Sequence, residues 1–322
     1  MQKKVLDLLK AADGFISGED ISRQLGVTRT SVWKAITALR KEGYVVESVT
    51  NRGYCLREVP DLLNVAQITE GLKTSVLGRT VVALPVVDST NNEAKRQAVK
   101  GAAHGTLFVT EQQTGGKGRL GRSWESPSRQ GICMSLLLRP QISPYEVTRI
   151  TLLAGLAVCR AIRALTPCPA MIKWPNDVII GRKKVCGILT EMAAETERVH
   201  YVVTGIGINV NTPSFPEQLH QKATSLYLET GNLYFRAALL QQILYEFELC
   251  YDAYLTDATA DLLTPYKELC ATLGRKIGFT RNGKMLIATA VDISHRGGLL
   301  VKLENGKKLE IHSGEVTVQG IY

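Results

Sequence analysis

The chain has 322 residues, 45% of them hydrophobic and 21% charged, and a formal net charge of +9, so two or three domains of about 100–200 residues each are expected. Its longest apolar run, Ile150 to Cys159, is about half a membrane span, and MQKKVLDLL regains charge at Asp7, which argues against a membrane anchor or signal peptide and for the cytoplasm. Seven scattered cysteines without a C-x-x-C pair argue against a zinc ribbon or redox dithiol, and no metal ligands are singled out.

Val5, Leu6, Leu8 and Leu9 fall on one helical stripe, which Asp13-Gly14 ends. Ser17 and Asp20 read as a capping box for a short helix with Ile21 and Leu25 inward. Leu25-Gly26-Val27 then predicts a tight turn, because glycine enters left-handed backbone without strain. Thr28 caps a second helix with Val32, Ile36 and Leu39 inward; its other faces carry Arg29, Thr30, Ser31, Lys34, Thr37, Arg40 and Lys41. Hydroxyls and cations at the start of such a helix can meet phosphates and base edges. YVVESVTNRGYCL alternates as a hairpin with Asn51-Arg52-Gly53 at its tip, the wing of a winged helix-turn-helix. DNA is thus the expected partner, through Ser17, Thr28, Arg29, Thr30, Ser31, Lys34 and Arg52; a helical cap with a solvated basic face is the alternative. Glu58-Val59-Pro60-Asp61 reads as a linker.

From Leu62 to Cys270 strands and helices are mixed. Thr80 to Val87 is rich in β-formers, and DSTNNEAKRQAVKG opens a helix around Asp88, Ser89, Thr90 and Asn91. Free N–H groups there suit an anion or a carbonyl, with plain capping as the alternative. Thr106 to Gln113 predicts a strand running into TGGKGRLGRSW, Thr114 to Trp124, with four glycines and three cations; GICMSLLL resumes the sheet. Glycines let backbone N–H groups approach a phosphate, Lys117, Arg119 and Arg122 add charge, and Trp124 adds a flat apolar surface, with a mobile basic surface loop as the alternative. No Walker G-x-x-x-x-G-K-[ST] is present, and the glycines are not a Rossmann G-x-G-x-x-G after a first strand. In MIKWPNDVIIGRKKVCGILTEM, Pro175 makes a corner before Asn176 and Asp177, and a hairpin turns at Gly181-Arg182. Lys184 stands at the mouth of an apolar strand, as a snorkelling cation or as a ligand to an anion. In VHYVVTGIGINVN, Gly205 and Gly207 permit close backbone approach and Asn209 offers an amide.

GKGRLGRSW, KWPND, KKVCGIL and GIGINVN, in this order and at these separations, resemble the biotin protein ligases. With the N-terminal helix-turn-helix, the resemblance extends over essentially the whole chain to the bifunctional ligase–repressors. It implies an α+β fold: a winged helix-turn-helix over 1–60, a central mixed α/β catalytic domain of the class II synthetase-like biotin/lipoate ligase type over 61–270, and an SH3-like C-terminal β-barrel over 271–322. It also implies coupling of biotin to ATP, supplied as its Mg²⁺ complex, to give biotinyl-5′-AMP and pyrophosphate. The biotinyl group then passes to a lysine of a biotin carboxyl carrier protein of acetyl-CoA carboxylase. By the same resemblance, Lys117, Gly118 and Arg119 wrap the biotinyl-phosphate, and Lys184 reaches it from the opposite side. Ser89, Thr90, Asn91 and Gln113 surround the ureido ring, while Arg122, Trp124, Asn176 and Asn209 serve the nucleotide. Asp177 orients or deprotonates the incoming amine, and it joins Lys184 and Arg119 as a catalytic candidate. Lys117 stands where other members often carry arginine, which keeps the charge but loses the bidentate fork.

The last stretch, from Arg275 to Gln319, alternates as short strands with Asn282-Gly283 and Asn305-Gly306 turns, as a small barrel requires. No residue in it is singled out. The resemblance further implies that the adenylate is a corepressor favouring a homodimer on operator DNA. Two alternatives stay open: a sensor-repressor without chemistry, and a lipoate-type ligase.

Overall fold

Apolar stripes on three short helices and one hairpin close the core of the first unit, Met1–Leu62, in a computed structural model that describes residues 1–256, 261–281, 283–312, 314 and 316–322. Helix α1 (Gln2–Ala11) contributes Val5, Leu6 and Leu9, α2 (Gly18–Leu25) contributes Ile21, and α3 (Arg29–Lys41) contributes Val32, Ala35, Ile36 and Leu39. Gly26 ends α2 at φ 63°, the left-handed corner its sequence predicts, and the Thr28 hydroxyl accepts from the Ser31 N–H at 3.2 Å to start α3. The capping box is only half formed. Ser17 accepts from the Asp20 N–H at 3.0 Å, but the Asp20 carboxylate takes the Ser17 hydroxyl at 2.6 Å. Aspartate is one methylene shorter than the glutamate of that motif, so its carboxylate stops at the hydroxyl.

Strands β1 (Val45–Val49) and β2 (Gly53–Glu58) form the antiparallel wing. Gly53 sits at φ 101°, and a Cβ there would collide with the Ile16 carbonyl, so glycine is required. Arg40 does not belong to the outward basic face: its Nε and Nη2 donate to the Val46 carbonyl at 2.9 and 2.6 Å, bracing the wing against α3.

The second unit, Leu63–Tyr322, begins with α4 (Val65–Thr69), β3 (Val81–Val87), α5 (Thr90–Val99), β4 (Thr106–Gln113) and β5 (Gly131–Leu138). It continues through α6 (Val147–Leu165), β6 (Met171–Lys173), β7 (Asp177–Ile180), β8 (Lys183–Ala194) and β9 (Val199–Asn209). These strands make a seven-stranded mixed sheet in the order β3-β4-β5-β9-β8-β7-β6, parallel only between β3 and β4. Period-two alternation sorts its two faces. Phe108, Leu137 and Val203 pack with Ala94 and Ala98 of α5, whereas Leu136, Ile188, Ile206 and Ile208 join the larger core that includes α6. Cover on both faces explains why β5 reads as a nearly unbroken apolar run.

Helices α7 (Leu226–Thr230), α8 (Arg236–Thr256) and α9 (Leu263–Glu268) follow. Then come β10 (Lys276–Arg281), β11 (Lys284–Ile293), β12 (Leu299–Leu303), β13 (Lys308–Ile311) and β14 (Val316–Val318), an antiparallel sheet in the order β13-β12-β11-β10-β14. Its inward residues, among them Ile277, Phe279, Val301 and Val318, merge with the core of the central part. Gly306 turns β12 into β13 at φ 83°, as expected; Asn282 of the other anticipated turn lies outside the described residues. Among the described residues no helix is long and apolar enough to cross a membrane.

One half-buried histidine makes the fold sensitive to acid. His104 stacks on Tyr251 with centroids 5.9 Å apart, and its Nδ1 accepts from the Arg139 N–H at 3.0 Å. Burial pushes its pKa below the ordinary 6.5. The unfolded chain therefore binds this proton more tightly, and the stability present above pH 6.5 is lost as the pH falls through the depressed folded value. Melting temperature should drop between pH 7 and about 5.5. His104→Gln should flatten that slope; an unchanged slope in the variant would remove His104 as its source.

Candidate functional site

On the first unit, Thr30, Trp33 and Lys34 are exposed on one face of α3. Trp33, 55% exposed, is not among the candidate residues of the sequence, although its place three residues after Thr30 and outside the Val32–Ile36–Leu39 stripe could have flagged it. The other candidate residues are engaged within the unit. Arg29 pairs with Glu19, Ser17 and Thr28 serve as caps with Ser31 bonded to Thr28, and the Arg52 guanidinium lies 4.4 Å over the Phe15 ring. Exposed ion pairs like Arg29–Glu19 are worth about 0–1 kcal/mol, so a polyanion can displace them.

On the second unit, a pocket of about 460 Å³, open mouth included, forms where α5 begins against β4, β5, β8 and β9. Ser89, Thr90 and Asn91 are buried on its wall, and the Ser89 side chain makes no cap bond to its own helix, unlike a plain N-cap. The Gln113 Oε1 accepts from the Thr90 N–H at 2.9 Å and the Thr90 hydroxyl at 3.2 Å. Asn91 Nδ2 donates to Glu191 at 2.8 Å and to the Leu189 carbonyl at 3.1 Å, and its Oδ1 lies 2.6 Å from the Ser135 hydroxyl. A Cβ at Gly205 would collide with that Oδ1, so the glycine admits the amide. Burial would raise the Glu191 pKa, but hydrogen bonds from Lys95 and Asn91 outweigh it and hold the carboxyl below its usual range. Glu191 and Ser135 are not foreseen from sequence; their only signal is a polar residue inside an apolar strand.

The floor is glycine. Gly187 and Gly207 are cross-strand partners on β8 and β9, and the Trp124 indole rests on them. A Cβ at Gly207 would come within 2.5 Å of Trp124 Cε2, and one at Gly187 within 3.2 Å of Cζ3. Gly207→Ala should therefore evict the indole. Tryptophan emission should shift, and any nucleotide dependence should weaken several-fold while the melting temperature holds; unshifted emission would mean the ring is not seated there.

The glycine-rich segment folds as a flap. The Gly118 N–H donates to the Arg122 carbonyl at 2.7 Å, the Trp124 N–H donates to the Gly116 carbonyl at 2.9 Å, and Leu120 forms an exposed tip at φ 56°. Lys117, Gly118, Arg119 and Trp124 all line the pocket. Arg119 Nη1 donates to Asn176 Oδ1 at 2.7 Å and Nη2 to the Gly314 carbonyl at 2.9 Å, which fastens the flap to the C-terminal strands. Facing it, Lys184 Nζ lies 2.6 Å from Asp177 Oδ1 and 5.7 Å from the Trp124 ring centroid. A neighbouring pocket of about 670 Å³, again with its open mouth included, is lined by Arg119, Arg122, Trp124, Asn176, Asp177 and Lys184, and also by Lys173 and Tyr322, which the sequence does not single out.

Asn209 is not brought into either pocket. It is buried at the end of β9, and its amide donates to the Thr224 carbonyl at 3.0 Å, whereas Thr224 and Lys222 bond to the Lys184 backbone. It supports the segment beside Lys184.

A slot of uncharged polar groups thus opens onto a mouth with five cations, Lys117, Arg119, Arg122, Lys173 and Lys184, and one carboxylate, Asp177, among the described residues. That layout suits a neutral head group joined to a concentrated negative charge. The Biotin/lipoate A/B protein ligase family model matches residues 83–209, an HTH domain model matches 1–55, and the Biotin protein ligase C terminal domain model matches 272–318. Fold and site together define a ligase of the biotin/lipoate class joined to a helix-turn-helix. The chain is 42% identical to the bifunctional ligase/repressor BirA of Bacillus spizizenii over 98% of both chains, and 28% identical to that of Escherichia coli over 97% of both. The biotin protein ligase from Aquifex aeolicus, solved in complex with biotin and ATP, aligns with a TM-score of 0.65 at 31% identity, covering 75% of this chain and 99% of that one. The chain belongs to the bifunctional ligase/repressor BirA family.

Proposed function

We propose that this protein is an ATP-dependent biotin protein ligase that also represses transcription when loaded with biotinyl-5′-AMP. The observation that carries the reading is the Lys184–Asp177 pair facing the cationic flap across the mouth of a polar slot. Ser89, Thr90, Asn91 and Gln113 take the ureido ring, whose carbonyl and N–H groups need partners once buried. Biotin's carboxylate oxygen attacks the α-phosphorus of ATP, and pyrophosphate departs with the electrons of the Pα–O bond. Lys117, Gly118 and Arg119 on one side and Lys184 on the other offset the charge that accumulates. At about 4 Å and an effective dielectric near 20, one such pairing is worth about 4 kcal/mol. Mg²⁺ enters with ATP and neutralises the leaving pyrophosphate. Arg122, Trp124 and Asn176 hold the nucleotide, and Asn209 acts through the segment beside Lys184.

In the second step the ε-amine of a carrier-protein lysine forms a C–N bond to the biotinyl carbon. The C–O bond to AMP breaks, and the amine's proton passes to Asp177 and on to water. Lys184 leaves Asp177 for the acyl-phosphate, so the carboxylate becomes available when the amine arrives.

Residues 1–60 read operator DNA, 61–270 carry catalysis and 271–322 complete the site. A homodimer stabilised by the adenylate lets two helix-turn-helix units span a two-fold operator, with coupling of about 1–3 kcal/mol. Work on ATP, a carboxylase carrier and an operator belongs in the cytoplasm. Pyrophosphate release with Mg²⁺–ATP and biotin, but not lipoate, tests the enzyme. No release would leave a sensor-repressor, and release with lipoate alone would leave a lipoate-type ligase. Operator retardation should strengthen about 5- to 150-fold with biotinyl-5′-AMP; equal retardation without it would remove the regulatory role.

A further inference from the structure

Asp177 is held from several directions. Its Oδ1 accepts from Lys184 Nζ at 2.6 Å and from Asn176 Nδ2 at 3.2 Å, while its Oδ2 accepts from the phenol of Tyr322. Lys184 and Asn176 have roles in the ligase reading, but Tyr322 has none. The segment that carries it is well anchored. The Gln319 N–H donates to the Lys276 carbonyl at 3.0 Å, Ile321 is buried in the core, and the Tyr322 N–H donates to the Arg182 carbonyl at 3.2 Å. The Lys173 ammonium lies 3.7 Å over the phenol ring. Backbone, ring and hydroxyl are each fixed, so the phenol arrives at Asp177 by construction.

We infer that Tyr322 is a positioning residue for biotinyl transfer, holding Oδ2 of Asp177 so that Oδ1 faces the carrier lysine once Lys184 has turned to the acyl-phosphate. The inference rests on the ligase reading and deepens it. A carboxylate's terminal torsion is broad, so Asp177 held at Oδ1 alone, by the 3.2 Å bond from Asn176 once Lys184 has left, still samples a range of planes. A hydrogen bond at one oxygen selects a plane and leaves the other oxygen to accept the amine's proton as the C–N bond forms and AMP departs. Small displacements of a reacting group cost orders of magnitude in rate. Adenylation precedes this proton transfer and relies on Lys184 and the flap, so it feels Tyr322 less.

Tyr322→Phe keeps the ring beneath Lys173 and removes only the hydroxyl. In the full chain loaded with biotin and Mg²⁺–ATP, transfer to a biotin carrier domain should slow about tenfold or more, the loss expected for one hydrogen bond to a charged group. The carrier KM should stay within about twofold, as should pyrophosphate release in the first half-reaction and the melting temperature within a few degrees. Equal slowing of both half-reactions would make Tyr322 a structural support, and an effect confined to KM would make it a docking contact. Either result, or no effect at all, overturns the inference. Absence of pyrophosphate release from the unsubstituted protein would overturn the ligase reading itself, and this inference with it.

Discussion

Lys184→Ala should lower biotinyl-adenylate formation about a hundred- to a thousandfold while the protein stays folded. The ammonium stands at the mouth of the polar slot opposite the flap, 2.6 Å from Asp177. Removing one charge pairing worth about 4 kcal/mol corresponds to nearly three decades at about 1.4 kcal/mol per decade. The fold should tolerate the change because the Lys184 side chain is 26% exposed and its backbone bonds to Lys222 and Thr224 persist. Lys184→Arg should recover only part of the rate, since a planar fork replaces a compact charge. Adenylation in Lys184→Ala within threefold of the unsubstituted protein would place the carboxylate's partner elsewhere.

Arg236→Ala should destabilise the second unit by about 3–5 kcal/mol. The Arg236 side chain is wholly buried; its Nη1 lies 2.6 Å from Glu111 Oε2 and 3.1 Å from the Gly131 carbonyl. Glu111 Oε1 also accepts the Leu63 N–H at 2.7 Å. One ion pair thus joins the start of α8 to β4 and to the point where β5 emerges from the flap. Removing the guanidinium leaves a largely buried carboxylate without its cation, which costs more than the pair contributes. Melting temperature should fall by roughly 10 °C for a unit of this size. Arg236→Met combined with Glu111→Leu should recover most of the loss, because no unpaired charge remains. A shift under about 2 °C in Arg236→Ala would contradict this account of the core.

What could be read from the sequence was local. Apolar, β-forming runs placed β4, β5 and β9, turn glycines placed Gly26, Gly181 and Gly306, and the composition of Thr114–Trp124 marked a glycine-rich cationic loop whose role came only from the resemblance. What could not be read was which distant groups meet. Glu111 and Arg236 stand far apart in the chain and carry no mutual signal, and nothing in the alternating tail marks Tyr322 for Asp177. Strand alternation gives Asn209 the same parity as Gly205 and Gly207, but it does not say what covers the end of β9. The segment at Thr224 covers it and takes the amide. Arg40 failed similarly: helical spacing put it on an outer face, and the wing then folded back to claim it.

A structure with biotinyl-5′-AMP bound decides whether flap and lysine share the acyl-phosphate. The acyl-phosphate should lie between the backbone of Lys117–Arg119 and the Lys184 ammonium, within hydrogen-bond distance of both, with the ureido ring against Thr90, Asn91 and Gln113. Density away from the flap, with Arg119 and Lys184 both turned to solvent, would contradict it.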